Sequence, residues 1–503
     1  MLGAVMETLM TNDPAHILPA ALVAAGPLAL LLFGLLPSTW LNRRAPLAAR
    51  AGAGIALAAL LAAGLAAVAR WRGGPVQHEF LQAGPFALGI YFDNLSAILL
   101  VLVSFLLAIV ARYSINYLAG DPGQGRFTKW LCLTGGSVLA IVISGNLIQF
   151  ALAWCATSLS LHQLLVFYPD RPGALLAARK KFIISRLGDA CLLGVIALVY
   201  QQFGTGNFAA LFAAAKELHA AGHNAASLNV SVICFLLVAG AMLKSAQFPF
   251  HSWLPDTMET PTPVSALMHA GIINAGGFLI IRLSPVVTLS PAALSLLASF
   301  GAFTALFASL VMLTHASIKR SLAFSTVAQM GFMMLECGLG AFPLAVLHLV
   351  AHSLYKAHAF LSSGSIVRLA QSAWTPADRP NAHPMRLVAA LLTAGLLTLG
   401  GGWLCGAGLR LEPGLLVLGG AFAMALGYAL WNLWSQTLNL QLGLLGTGLA
   451  AAAVSVFFSL HRLFEHLLNQ TDWVNTQLDS GPGFILAGVP LMLTRRKSPE
   501  AWT

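Results

Sequence analysis

Residues 238–282 read VAGAMLKSAQFPFHSWLPDTMETPTPVSALMHAGIINAGGFLIIR, and this stretch decides the fold. Lys244 enters an apolar span before that span is finished, and Pro249 then predicts a helix break, because proline lacks the amide donor and clashes with the preceding turn. A second apolar span follows and contains His269. A lysine, a broken helix and a histidine are energetically costly at membrane depth, and they usually mark an ion or proton path. The alternative is that Lys244 extends to an interface and His269 satisfies a backbone group.

The composition identifies the class of protein. The chain has 503 residues, of which 58% are hydrophobic and 9% are charged, and its mean hydropathy is +0.80. A soluble protein of this length could not bury so much apolar surface. Long apolar segments without strand alternation predict an all-α polytopic membrane protein rather than a barrel. Six cysteines stand singly without a CxxC pair, which predicts neither a disulfide framework nor a metal site.

The apolar segments predict about fourteen transmembrane helices, since about twenty residues are needed to cross the hydrocarbon core. Asp93 begins the third, where a carboxylate interacts favourably with the helix N-terminus. The first span lacks a convincing cleavage site, so we expect it to be retained. The predicted spans lie near 16–37, 51–69, 90–111, 127–144, 146–168, 182–203, 228–246, 262–283, 291–314, 318–338, 341–367, 386–406, 414–434 and 439–460.

The net charge of +10 comes from basic residues that are concentrated in alternate loops between spans. Lysine and arginine in such loops set orientation, so this charge does not indicate nucleic-acid binding. The positive-inside rule therefore predicts that the N-terminus lies outside the cytoplasm. The basic residues at 495–497 disagree with the alternation, which leaves the side of the C-terminus open.

Four motifs carry a specific resemblance to a known family. They are KSAQFPFHSWLPDTMETPTPVSALMHA at 244–270, RLGD at 186–189, IKRSLAFSTVAQMGFM at 318–333 and HLVAHSLYKAHAFLSSGS at 348–365. Together they resemble the antiporter-like membrane subunits of respiratory complex I, especially the subunit 5 or L type. The same family includes the large Mrp antiporter subunit and the membrane subunit of the DAB inorganic-carbon pump, which this chain resembles best.

The resemblance implies a fold with two inverted repeats of five helices and broken helices in each. The repeats would occupy 127–283 and 291–434, after an N-terminal three-helix segment (1–126) and before a C-terminal helix and tail (435–503). Paired interrupted helices usually surround a path near the midplane of the membrane. In the second repeat the triplet Gly400–Gly402 is expected to interrupt the span 386–406, as Pro249 does in the first.

The candidate path residues are titratable side chains within or beside the spans. His348, His352 and Lys356 recur every fourth residue, which places them on one helix face. Histidines at this spacing can bind zinc, but no glutamate follows His348 and no third ligand is adjacent, so a proton relay is favoured. For Lys319 the resemblance favours a relay role over an interfacial anchor. The predicted path comprises Lys244, His269, Lys319, His348, His352 and Lys356.

The sequence departs from its complex I relatives at the fifth span. Those relatives carry a glutamate after the tryptophan, and it pairs with the lysine two spans later, whereas this chain has Cys155. Asp189 and Glu259 are the acids on adjacent segments that could replace it. Arg186 and Asp189 stand three residues apart and can pair on one helix face, either as a structural pair or as part of a relay.

The second half departs as well. No lysine occurs between Lys356 and Lys497, although complex I relatives place one in their second broken helix, and there is no room for their long lateral helix. These differences favour a cation-conducting subunit of a DAB-type inorganic-carbon pump, acting with a soluble, zinc-containing, carbonic-anhydrase-like partner in a bacterial inner membrane. A complex I-type proton pump and an Mrp-type cation/proton antiporter remain alternatives, and the conducted ion is a proton or sodium. No cofactor motif is present, so we expect the chain itself not to be an enzyme.

Overall fold

The computed structural model describes residues 14–83, 86–221, 227–315, 317–364, 384–404, 413–436 and 440–469. The chain forms two compact units. The first comprises Met1–Leu335 and His348–Gly364, and it contains all six predicted path residues. The second comprises Glu336–Leu347 and Ser365–Thr503.

Helices account for nearly all of the described residues. Up to the first proline-rich link they are α1 (Pro14–Leu35), α2 (Ser38–Arg43), α3 (Ala45–Gly73), α4 (Asn94–Tyr117), α5 (Gln124–Ile143), α6 (Leu147–Leu165), α7 (Pro172–Phe203), α8 (Phe208–Ala220) and α9 (Leu228–Lys244). After it they are α10 (Thr262–Ala270), α11 (Ala275–Arg282), α12 (Ser284–Val287), α13 (Pro291–Thr314), α14 (Ile318–Gly338), α15 (Phe342–Leu361), α16 (Pro384–Leu404), α17 (Pro413–Gln436) and α18 (Leu440–Asn469).

The predicted membrane architecture is confirmed. Every one of the fourteen predicted spans coincides with a helix or a broken pair of helices. Among the described residues, ten stretches are long and apolar enough to cross a membrane, and two further apolar helices are shorter. The chain is therefore a polytopic, essentially all-helical membrane protein. The division into inverted repeats stays a prediction.

A short β-hairpin is an element that the sequence did not predict. Strand β1 (Val76–Ala83) pairs antiparallel with β2 (Phe86–Phe92), with Val76 opposite Phe92. The predicted third span began inside β2, because the apolar residues of the strand merge with those of the helix. The helix begins only at Asn94, where the Asp93 carboxylate accepts a hydrogen bond from the Ser96 amide at 2.8 Å. Asp93 thus caps this helix N-terminus as predicted.

The predicted break after Lys244 is present. Helix α9 ends at Lys244, and a 3₁₀ turn at Pro255–Glu259 precedes α10. A second, unpredicted break follows at Gly271, where a 3₁₀ turn (Ile272–Asn274) separates α10 from α11. The eighth span is therefore discontinuous at the depth where His269 lies.

The expected break at Gly400–Gly402 was wrong. Helix α16 continues from Pro384 to Leu404 without interruption. These glycines serve packing instead, because a Cβ on Gly401 would meet Val454 and one on Gly402 would meet Phe458 of α18. Small residues allow membrane helices to approach closely, and a helical glycine is compatible with that role.

A buried ion pair joins the end of α11 to the start of α4. Arg282 donates from Nη1 to Asp93 Oδ2 at 2.8 Å and from Nη2 to Asp93 Oδ1 at 3.1 Å. It also donates to Ser96 Oγ at 2.6 Å, and its side chain is 1% exposed. Such a bidentate, fully hydrogen-bonded pair holds the broken eighth span against the third span.

We expect Asp93→Asn to lower the free energy of unfolding by about 3–5 kcal/mol, because it leaves the buried Arg282 guanidinium uncompensated. The measurement is denaturant unfolding of the detergent-solubilised chain. Lys180→Gln is the control, since the Lys180–Asp256 pair is 39% and 36% exposed and should contribute about 1 kcal/mol or less. Equal effects of the two substitutions would contradict the role given to the Arg282–Asp93 pair.

Candidate functional site

Lys244 is the last residue of α9 and its side chain is buried, with 7% exposure. Its ammonium lies 4.2 Å from the centroid of the Trp154 ring on α6. Among the described residues the Lys244 Nζ atom has no hydrogen-bond partner. The face of an indole attracts a cation, and this attraction is stronger where water is excluded. Lys244 therefore points into the bundle rather than to a lipid-facing interface.

Asp189 supplies the negative charge near Lys244. It lies on α7 and forms an ion pair of 2.7 Å with Arg186, one turn earlier on the same helix. Asp189 interacts electrostatically with Cys155 and with Lys244. A carboxylate on the neighbouring helix α7 thus lies beside the position where the complex I resemblance implies one on the fifth span.

Glu259, the other acid considered, lies elsewhere. Its Oε2 atom accepts a hydrogen bond of 3.0 Å from the Ala174 amide in the first turn of α7. Its backbone carbonyl accepts one of 2.6 Å from Arg171. A carboxylate at a helix N-terminus satisfies free amides and favours the helix dipole. Glu259 therefore stabilises the start of α7.

Lys181 is a site residue that the sequence reasoning missed. The predicted span began at 182, but α7 begins at Pro172, so Lys181 lies within the helix and is buried. Its Nζ atom donates to the Ser158 carbonyl at 2.7 Å and to Ser158 Oγ at 3.0 Å. Lys181 precedes Asp189 by eight residues, which is about two helical turns. This spacing in the sequence indicates that the two side chains lie on neighbouring parts of the helix surface.

A second cluster surrounds His269 on α10. Its Nδ1 atom lies 3.1 Å from Thr326 Oγ1 on α14, and its ring stacks on Phe360 at 4.3 Å. The Thr326 hydroxyl is also 3.0 Å from the Leu322 carbonyl, to which it donates its one proton. We therefore assign the His269 proton to Nδ1, which donates to Thr326. The Nε2 atom then carries a lone pair, and it has no partner among the described residues.

Lys356 and His352 on α15 join this cluster. Lys356 Nζ donates to Ser325 Oγ and, at 3.0 Å, to the same Leu322 carbonyl that accepts from Thr326. His352 Nε2 lies 3.3 Å from the His269 carbonyl, so it must carry the proton and donate. The structure thus brings together three of the predicted residues, His269, His352 and Lys356.

His348 and Lys319 lie at the margins of this cluster. His348 is half-buried, and its ring centroid is 6.1 Å from that of His352. Lys319 is half-exposed in the first turn of α14, about 10 Å along the helix from Thr326. No hydrogen bond or ion pair joins Lys319 to the other candidates within the described ranges. Those ranges also contain no group of three or more histidine, cysteine or acidic side chains that could hold a metal ion.

The break at Gly271 lies between the two clusters. Ser245, next to Lys244, donates to the Ile273 carbonyl at 2.7 Å. Asn274 donates to Ser353 Oγ on α15 at 2.8 Å, and its Oδ1 atom has no partner in the described part of the chain. A cavity of about 30 Å³ borders Asn274 and Ser353, which is room for one water molecule. Polar groups therefore continue from Lys244 to the His352 helix.

Comparison with known proteins identifies relatives along most of the chain. Residues 144–429 match the family described as NADH:quinone oxidoreductase/Mrp antiporter, TM. Residues 80–128 match NADH-Ubiquinone oxidoreductase (complex I), chain 5 N-terminus. The fold is similar to a chain in the structure of the Mrp complex from Dietzia sp. DQ12-45-1b, with a TM-score of 0.62, 23% identity, and coverage of 94% of this chain and 58% of that one.

Two sequence relatives are named for different functions. The chain is 46% identical over 381 residues to the probable inorganic carbon transporter subunit DabB2 of Halothiobacillus neapolitanus, covering 76% of this chain and 68% of that protein. It is 39% identical over 293 residues to NAD(P)H-quinone oxidoreductase chain 5 of Synechocystis sp., covering 58% of this chain and 43% of that one. Relatives of both kinds therefore match more than half of this chain.

Thr326→Val should slow ion translocation about fivefold while leaving membrane insertion intact, because it removes the acceptor that orients the His269 ring. The measurement is cation flux into proteoliposomes at equal protein content. Thr128→Val is the matched control, since the Thr128 hydroxyl bonds only within its own helix, to the Gln124 carbonyl. Wild-type flux in Thr326→Val would show that this hydrogen bond has no part in the path.

Proposed function

Because this chain belongs to the NADH:quinone oxidoreductase/Mrp antiporter family of membrane subunits, we propose that it translocates a proton or sodium ion and thereby energises inorganic-carbon uptake. Catalysis of carbon dioxide hydration would reside on a partner, a soluble zinc-containing protein resembling a carbonic anhydrase. The chain would act in a bacterial inner membrane with its N-terminus on the non-cytoplasmic side.

The observation that carries this proposal is the pair of buried lysines, Lys244 and Lys356, in separate polar clusters. An ammonium group inside a membrane bundle costs several kcal/mol in lost hydration, even after partial compensation. Trp154 and Asp189 offset part of this cost for Lys244, and Ser325 with the Leu322 carbonyl does so for Lys356. Ionisable groups kept at such a cost support a path for charge.

At the first cluster, the single carboxylate charge of Asp189 interacts with three cations, Arg186, Lys244 and Lys181. It pairs with Arg186 at 2.7 Å, which leaves Lys244 with an aromatic face and no hydrogen-bond acceptor. When Arg186, which is 35% exposed, turns away, Asp189 becomes available to Lys244 and favours its charged form. The exchange of partners at Asp189 would alternate proton uptake and release at Lys244.

The second cluster receives the proton beyond the Gly271 break. His269 Nε2 offers a lone pair, and the Thr326 hydroxyl and the Lys356 ammonium both donate to the Leu322 carbonyl. A proton taken up at Nε2 would leave from Nδ1 to Thr326, and Thr326 would pass its own proton to Lys356 once Lys356 has released one, because the carbonyl itself cannot hold a proton. Ser353 and Asn274, with one water in the adjoining cavity, would bridge the interval between the clusters. His352 holds the carbonyl of His269 and so positions the broken helix.

The link to inorganic carbon rests on the similarity to the DabB2 subunit, which is greater in identity and coverage than that to the quinone oxidoreductase chain. Affinity purification of the tagged chain from native membranes tests it. We expect a soluble zinc protein with carbonic-anhydrase-like cysteine and histidine ligands to co-purify. A set of complex I subunits in its place would overturn this part of the proposal.

Cation/proton exchange is the second candidate function, and the family match that includes Mrp antiporters supports it. The two functions differ in what drives the ion. An exchanger in proteoliposomes alkalinises the lumen when sodium is added outside, because sodium enters in exchange for luminal protons, and it needs no partner. A carbon-uptake subunit shows ion flux coupled to inorganic carbon only with its partner present.

We expect Lys244→Ala and His352→Ala each to reduce ion-coupled uptake of labelled inorganic carbon to background. Each removes a titratable group from one cluster. Membrane abundance, measured by immunoblot, should stay at the wild-type level. Lys216→Ala is the matched control because Lys216 lies exposed on α8. Uptake at the wild-type rate in Lys244→Ala would refute the assigned path.

Cys155→Glu tests whether Asp189 has taken over the carboxylate role. The added anion would lie beside both Asp189 and Lys244, hold Lys244 in its charged form and slow uptake. Cys155→Ser, which preserves size and hydrogen bonding, should retain nearly full uptake. Asp189→Asn should abolish uptake, whereas Glu259→Gln should lower stability alone. If Cys155→Glu leaves uptake and its pH profile unchanged, position 155 serves only packing.

A further inference from the structure

A lateral groove of about 960 Å³ lies between α3 and α4, away from both lysine clusters. Leu57, Phe105 and Ile109 line its length and are 52%, 39% and 37% exposed. The groove is open because small residues lie on its floor. A Cβ added to Gly54 would meet no atom within 4 Å. The walls of the groove are thus apolar, and no side chain fills the space beside Gly54.

The groove has the depth of one membrane leaflet. On α3 it extends from Arg50 to Leu60, ten residues or about 15 Å of helix. On α4 it extends from Phe105 to Asn116, eleven residues or about 16 Å. Half of a hydrocarbon core about 30 Å thick has this same depth. An acyl chain that enters at one membrane surface would therefore end near the midplane.

Positive charge is confined to one end of the groove. Because α3 and α4 lie antiparallel along it, Arg50 near the start of α3 and Arg112 near the end of α4 meet at the same end. Both are exposed, and neither forms an ion pair with a described residue. Asn116 and Tyr113 add hydrogen-bonding groups there, and no carboxylate is among the lining residues.

We propose that this groove binds one anionic phospholipid. Its phosphate lies between Arg50 and Arg112, and one acyl chain follows the apolar walls past Gly54 toward Leu60 and Phe105. The two ends of the groove match the two parts of such a lipid, since arginine recognises phosphate and apolar walls recognise the chain. A free phosphate would leave the walls uncovered. A zwitterionic lipid would bring a second positive charge to two arginines.

Native mass spectrometry of the full-length detergent-solubilised chain tests the proposal, with dioleoyl-phosphatidylglycerol, dioleoyl-phosphatidylcholine and glycerol 1-phosphate as probes. The dissociation constant for the first bound phosphatidylglycerol molecule should be roughly tenfold lower than that for the first bound phosphatidylcholine molecule. Glycerol 1-phosphate should bind far more weakly than either lipid. The double substitution Arg50→Gln with Arg112→Gln should remove the preference for phosphatidylglycerol, weakening phosphatidylglycerol binding more than phosphatidylcholine binding.

Two further variants separate head-group from chain recognition. Gly54→Leu should fill the groove and weaken both lipids, and the absence of a Cβ clash at Gly54 means that the helix tolerates it. Arg72→Gln, at the opposite end of α3, is the charge-matched control and should change nothing. Equal binding of the two lipids to the wild type, or unchanged selectivity in the double variant, overturns the proposal. Tight binding of glycerol 1-phosphate overturns it in favour of a simple anion site.

Discussion

The burial of Lys244 at the end of a broken helix constrains the arrangement around it. An ammonium group inside a helical bundle loses its hydration, and the surrounding side chains must replace part of that stabilisation. Here they do so with an indole face at 4.2 Å and a carboxylate that is shared with Arg186. Because the compensation is partial, the charge on Lys244 is sensitive to small changes nearby. That sensitivity is what a proton-transfer step needs.

In the proposed path, the helix breaks supply the polar groups next to Lys244. A continuous helix satisfies its own backbone groups and presents little to a passing proton, whereas a break frees carbonyls and side chains at membrane depth. The breaks after Lys244 and at Gly271 place Ser245, His269 and Asn274 along one route. The Arg282–Asp93 pair holds the far end of the second broken helix in place. The structural Arg282–Asp93 pair and the residues of the proposed path thus lie on the same segment.

The carboxylate that the complex I resemblance implies at position 155 has a counterpart on the next helix. Asp189 lies on α7, the helix after the one that carries Cys155, and it interacts electrostatically with Cys155. A carboxylate on a different helix has a different partner, Arg186, within its own turn. The charge available to Lys244 therefore depends on the Arg186 rotamer as well as on distance. This distinguishes the site from the lysine–glutamate pair that the complex I resemblance implies.

The sequence by itself determined the membrane class, the positions of the fourteen spans, the break after Lys244 and the Asp93 cap, because hydropathy, proline and capping act locally. It also placed His352 and Lys356 on one helix face, since helical spacing is a local property. Tertiary structure decided which acid meets Lys244, because Asp189 and Glu259 differ only in where their segments pack. It likewise decided that Lys181 is buried and that Gly400–Gly402 stay helical against α18, since both depend on neighbouring helices that no local pattern records.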